Sequence, residues 1–227
     1  MKPNARRQQL IRYAECVAGL FITALGVALT KRAELGISPI SSVPNVLSFR
    51  FTSLTLGMWM VIWNSLLIVG QIVLLRKEFK PYQLLQLPVS FLFGAFLDFG
   101  MWCVTPIPVE RYGVRLLLVL AGVVIVGFGT ALSVLSDVIM NSGDALAKTI
   151  AGKAKKNFGA VKVCFDVSCV VLSILLSLVF FHGRIVGTRE GTVITALLTG
   201  HAVRLFSRLL TRRSICNAVS GGQPANS

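Results

Sequence analysis

Asp98, Asp144 and Asp166 lie within or beside long apolar runs, and Asp166 follows Lys162 by four residues. That spacing puts Lys162 and Asp166 on one face of a helix. A charge in mid-membrane costs about 2.5–3.5 kcal/mol on insertion scales, so it finds a partner or faces a cavity. Two readings follow. In the first, Asp98, Asp166 and His201 build a proton- or cation-coupled site. In the second, Lys162 and Asp166 satisfy each other, and Asp98 rests at the membrane interface.

Two mixed stretches carry a second kind of chemistry. Gly36-Ile-Ser38-Pro39 and Asn141-Ser-Gly143-Asp144 each precede a short helical pattern. In both, a small polar residue stands where an N-cap would. Each stretch is too polar and too broken to cross a membrane, and too apolar for an ordinary loop. Such backbone persists at membrane depth only if it lines a cavity or is buried in protein. Two half-helix N-termini would present N–H groups and positive dipole ends, which suit an anion or a carboxylate. Asp144 would instead suit a cation or an amine. The plainer alternative is a pair of amphipathic helices lying on the two membrane surfaces.

The elements that must position these residues follow from hydropathy. Of 227 residues, 54% are hydrophobic and 14% charged, with a mean hydropathy of +0.74. At about 20 residues per span, six spans fill the chain: roughly 14–30, 56–75, 84–104, 116–136, 160–181 and 191–210. A basic segment 1–13 precedes them, and a cytoplasmic tail expected to be disordered, 211–227, follows. The apolar stretch after Arg12 is too long for a cleavable signal, so it is expected to stay as an anchor.

The chain is also written twice. Gly19-Leu-Phe-Ile-Thr-Ala-Leu-Gly26 reappears as Gly122-Val-Val-Ile-Val-Gly-Phe-Gly129, an offset of 103 residues. Glu34 falls on Asp137. With small gaps, Leu56-Gly57 aligns with Phe158-Gly159, Asn64 with Asp166, and Gly94 with Gly200. The repeats cover 14–104 and 116–210, joined by a linker over 105–115. Each holds three spans and one broken or re-entrant segment after its first helix, about 36–50 and 140–152. An odd number of spans turns the second copy upside down relative to the first. The expected fold class is therefore an all-α polytopic membrane protein of two inverted three-helix repeats.

The net charge of +14 does not point to nucleic acid, because the basic residues flank apolar spans. With the N-terminus inside, fifteen Lys and Arg fall on the cytoplasmic side and seven outside. That favours both termini in the cytoplasm and anionic lipid as a partner of the basic face. Five cysteines form no C-x-x-C pair, and neither a metal site nor a cofactor motif is present. The absence of a phosphate loop, H-E-x-x-H, G-x-G-D or G-x-S-G argues against an enzyme. The glycines of spans one and four suit close helix packing.

Several motifs are familiar. Leu25-Gly-Val-Ala-Leu-Thr followed by Glu34-Leu-Gly36-Ile-Ser38-Pro39 is one, and Gly94-Ala-Phe-Leu-Asp98-Phe and Ser142-Gly143-Asp144-Ala-Leu are others. The closing Gly187-Thr-Arg-Glu-Gly191-Thr belongs with them. Through these, residues 14–208 resemble the YczE/YyaS/YitT-like family of small bacterial integral membrane proteins. The resemblance implies a polytopic plasma-membrane protein and no particular substrate.

Taken together, the sequence points to a small-solute transporter or permease with a midplane site between the repeats. Its candidate residues are Ser38, Pro39, Asp98, Asn141, Gly143, Asp144, Asp166 and His201. The alternative is a non-transporting subunit of a larger membrane complex. A homodimer or another membrane partner stays open.

Overall fold

The computed structural model describes the backbone of residues 3–136, 138 and 140–220, and the side chains of residues 9–211 apart from 137 and 139. Asp137 therefore lies outside the described residues. Among the described residues eight α-helices follow one another: α1 (Pro3–Arg32), α2 (Pro39–Arg50), α3 (Leu56–Leu75), α4 (Gln86–Val104), α5 (Tyr112–Ser136), α6 (Ser142–Ala154), α7 (Phe158–Phe180) and α8 (Glu190–Ser220). No strand occurs among the described residues. The order long, short, long, long appears twice. Six of the helices are long and apolar enough to cross a membrane.

Local sequence sets most of the ends. Thr55 accepts a hydrogen bond from the Met58 amide at 3.1 Å and starts α3. Asn157 does the same for α7 through the Gly159 amide, at 2.8 Å. Pro39 opens α2, where its missing N–H costs nothing. Lys155, at φ 52°, closes α6 in the left-handed region. Two expectations change. Helix α1 begins at Pro3, so the basic segment is its first turns rather than a separate element. Helix α8 continues to Ser220, so helical backbone occupies 211–220 where a disordered tail was expected. Residues 221–227 lie outside the described ones.

The centre of the molecule is an antiparallel crossing of α1 and α5. A Cβ placed on Gly26 would stand 2.9 Å from the Gly122 carbonyl oxygen, and one on Gly129 2.7 Å from that of Gly19. No side chain fits there, so the two backbones touch. Gly19 opposes Gly129 and Gly26 opposes Gly122. Helix α3 meets α4 in the same manner, with a Cβ on Gly94 falling 2.8 Å from the Gly57 carbonyl. Beside the crossing, Ala24, Val27 and Ala28 of α1 bury against Ile37, Met60 and Leu97.

Much of the remaining packing is reciprocal. Helix α4 lies on α1 as α8 lies on α5. The short α2 packs on α3 and α7, and the short α6 packs on α7 and α3. Each short helix thus touches the second long helix of both halves, α3 and α7. The linker between halves is clamped at α1 and α5. Arg32 donates to the Ile107 carbonyl at 2.6 and 3.1 Å, and Arg115 donates to that of Val109 at 2.7 Å. Arg115 also pairs with Glu34 at 3.2 Å.

Adding a methyl group at the crossing forces the backbones apart. Gly26→Ala is expected to lower stability by about 1–3 kcal/mol, the usual cost of overpacking. Gly113→Ala, whose Cβ meets nothing within 4 Å, is expected to leave it unchanged. Thermal unfolding of the detergent-purified variants compares the two.

Candidate functional site

The starts of the two short helices come together. A Cβ on Gly143 would stand 2.8 Å from Ile40 Cδ1, so the first turn of α6 rests directly against the first turn of α2. Pro39, Ser41 and Ser42 of α2 are buried, as are Ser142 and Gly143 of α6. Ser38 and Asn141 occupy the N-cap positions, but neither side chain caps its helix. Ser38 Oγ instead donates to Ser41 Oγ at 3.0 Å. The positive ends of both helix dipoles therefore receive no capping side chain.

Neighbouring helices hold this junction. Gln71 of α3 donates to the Ser142 carbonyl at 3.1 Å and exchanges amide hydrogen bonds with Gln86 of α4 at 3.1 and 3.3 Å. Both glutamines are buried, and a paired side-chain amide satisfies the donors and acceptors that an apolar interior would otherwise leave open. On the other side, Ser42 Oγ lies 3.4 Å from the Cys169 carbonyl of α7. Shifting Gln71 and Gln86 by 102 residues gives Ser173 and Thr188, whose hydroxyls lie 2.9 Å apart. The same shift carries Asn64 onto Asp166.

Asp144 links the junction to the charges of α7. Lys162 Nζ lies 2.7 Å from Asp166 Oδ1 and 3.1 Å from Asp144 Oδ1. All three side chains are about one-quarter exposed, at 23% for the lysine and 27% for each aspartate. One ammonium thus serves two carboxylates, and with all three ionised the cluster carries one net negative charge. The i, i+4 pair is formed as its spacing required, but it does not close on itself, because α6 brings a second acid.

Six of the eight sequence candidates, Ser38, Pro39, Asn141, Gly143, Asp144 and Asp166, therefore converge on the junction or on the charges attached to it. Asp98 and His201 do not. The Asp98 carboxylate accepts from the Thr55 hydroxyl at 2.6 Å and the Gly57 amide at 2.8 Å, so it anchors the start of α3. It is held there because the Gly57–Gly94 contact brings α4 within reach of that helix end. His201 is exposed, and its Nδ1 lies 2.8 Å from the Leu197 carbonyl one turn earlier in α8. Its helix packs on α5, away from the cluster.

Sequence reading overlooked the Gln71–Gln86 pair and the placement of Lys31. The signal for the pair was an amide inside an otherwise uncharged span. Lys31 is one of the seven basic residues that the charge count puts outside, yet its ammonium bonds Asn45 Oδ1 of α2, lies 3.4 Å from Ser48 Oγ and sits 3.7 Å from the Phe49 ring centroid. Asn64, two turns before Gln71 on the buried stripe of α3, is 3% exposed, and its Oδ1 has no hydrogen-bond partner among the described residues.

Eight α-helices among the described residues, six of them of membrane-crossing length and hydropathy, with a lysine and two aspartates about one-quarter exposed among them, are those of a polytopic all-α membrane protein. The chain belongs to the family described as "Family of unknown function (DUF6198)", whose model matches residues 10–208. It is 28% identical over 203 residues to "Uncharacterized protein YyaS" of Bacillus subtilis (strain 168), covering 89% of this chain and 95% of that one. It is 29% identical over 200 residues to "Uncharacterized membrane protein YczE" of the same organism, covering 88% and 86%. The motif resemblance is thus met by two relatives that align along most of their length. No solved structure matches.

The shared ammonium makes the three charges interdependent. Lys162→Met is expected to destabilise, because it leaves two acids without their cation, and adding Asp144→Asn and Asp166→Asn is expected to recover part of the loss. In a double-mutant cycle, Lys162 and Asp144 should couple by about 0.5–3 kcal/mol. Coupling near zero in thermal or denaturant unfolding would mean that Asp144 is not held by Lys162.

Proposed function

We propose that this protein is a small-solute transporter or permease whose site lies where the N-termini of α2 and α6 meet. The observation that carries the reading is the contact of Gly143 with Ile40, between short helices of different halves. At 12 and 13 residues, these helices are about 18 and 20 Å long. Neither crosses a hydrocarbon core of about 30 Å alone, but joined end to end they do. In this reading α2 and α6 are re-entrant and enter from opposite membrane faces. The halves are then inverted repeats about an axis through the α1–α5 crossing.

Several reciprocal contacts support that symmetry. Exchanging the halves turns Gly19 opposite Gly129 into Gly122 opposite Gly26. It turns α2 on α7 into α6 on α3. Discontinuous helices whose N-termini face each other near the midplane are a recurrent way to hold an anionic substrate group. The net negative Asp144–Lys162–Asp166 cluster beside them would take a coupling cation or proton. Both termini would lie in the cytoplasm, with Lys148, Lys153, Lys155 and Lys156 facing anionic lipid.

One observation favours a second reading, a membrane subunit with a protein partner. Helix α3 packs along α4, but α7 has no comparable packing with α8. Gly200 meets nothing within 4 Å, whereas Gly94 touches α3. That leaves an apolar face of α7 and α8 free for another membrane helix, from a second copy or from a different subunit.

Proteoliposomes of the purified protein separate the readings. Uptake of radiolabelled amino acids, carboxylates or amines is expected, falling at least tenfold in Gly143→Leu and in Asp144→Asn. No flux with any solute, together with a stable copurifying membrane protein, would replace the transporter reading with the subunit one.

A further inference from the structure

Away from the α2–α6 junction, an open cleft of about 410 Å³ lies between α1, α2, α3 and α4, with Lys31, Ser48, Phe49, Thr55, Asp98 and Met101 among its walls. Its size falls within the roughly 300–1,000 Å³ of small-molecule sites. Two opposite charges face it from different walls. Lys31 closes α1 and leans on α2, while Asp98 belongs to α4 and leans on α3.

Among the described residues, Lys31 and Asp98 form no ion pair. Glu34, the acid nearest Lys31 in sequence, is taken by Arg115 at 3.2 Å. Each charge is nevertheless held in place by neutral groups. Asn45 and Ser48 accept from the ammonium, with the Phe49 ring beneath it. Thr55 and the Gly57 amide donate to the carboxylate. An ammonium has three donors and a carboxylate about four acceptor sites, so both keep capacity for a ligand.

We propose that this cleft is a binding site for a zwitterion of the α-amino acid class. The ligand's carboxylate would meet Lys31 and its ammonium Asp98, with an apolar side chain against Phe49 and Met101. A simple anion would gain Lys31 but meet the charge of Asp98. A simple cation would gain Asp98 but meet Lys31. Only a molecule carrying both signs satisfies both walls. The proposal does not rest on the junction between α2 and α6, and it holds whether the protein moves its ligand or only captures it.

Equilibrium binding to the full-length detergent-purified protein tests it. The probes are L-leucine, L-phenylalanine and glycine, with isopentylamine and 4-methylpentanoate as leucine lacking one charge or the other. At least one amino acid is expected to bind saturably. Leucine, if it is that ligand, is expected to bind at least tenfold more tightly than either single-charge analogue, and phenylalanine or glycine likewise more tightly than its own amine or acid. Lys31→Gln and Asp98→Asn remove the charge and leave a polar group in its place, and each is expected to weaken binding at least tenfold, with Lys31→Arg recovering it. Equal binding by an amine or acid analogue would overturn the proposal, as would binding unchanged in both charge variants or the absence of binding by any of the three amino acids. The analogue comparison uses the unmodified protein and so stands even if a variant misfolds. Because it reads binding rather than flux, its failure is distinct from a failure of uptake.

Discussion

At Gly19, Gly26, Gly122 and Gly129 two apolar helices meet backbone to backbone, and the other helices are arranged around that contact. Lipid supplies no hydrophobic force to press helices together, because its chains are as apolar as leucine. Close approach of small residues, with the dispersion it gathers over many atoms, takes its place. The antiparallel register of the crossing decides how the halves face each other. It puts α4 against one side of α1 and α8 against the matching side of α5. The short helices are left to fill the space between the outer ones.

That space cannot accept arbitrary backbone. Free N–H and C=O groups are costly away from water, so buried polar groups between the helices find partners. The Gln71–Gln86 amides and the Ser173–Thr188 hydroxyls lie at matched places in the two halves. Gln71 reaches the Ser142 carbonyl beside the start of α6. That bond ties α3 to α6, and the paired amides satisfy each other on an otherwise apolar face. The uncapped starts of α2 and α6 then meet as two partial positive charges, with the carboxylate of Asp144 beside them.

The charged groups divide according to what holds them. Lys162 is fixed by two acids from α6 and α7, so its cluster is a junction of elements as well as a charge. Lys31 and Asp98 are fixed only by neutral donors and acceptors, which orient a charge without cancelling it. The first arrangement resists separation of the helices. The second leaves two fields of opposite sign open to a cleft.

Much of this was legible in the chain. Six apolar runs, two broken stretches and the basic flanks follow from hydropathy, and span α3 matches its expected bounds of 56–75. Lys162 and Asp166 share a face because helix geometry is local. The linear pattern could not say that Asp144 joins that pair, that Gly143 meets Ile40, or that Asp98 anchors α3 instead of joining the other acids. Each depends on which helices lie side by side, and apolar spans of similar length offer many such pairings. Hydropathy alone determined that the chain would form membrane-length helices, since that depends on each segment's own residues. The crossing of α1 and α5 decided which side chains meet, since only close contact of backbones from opposite halves selects one arrangement among them.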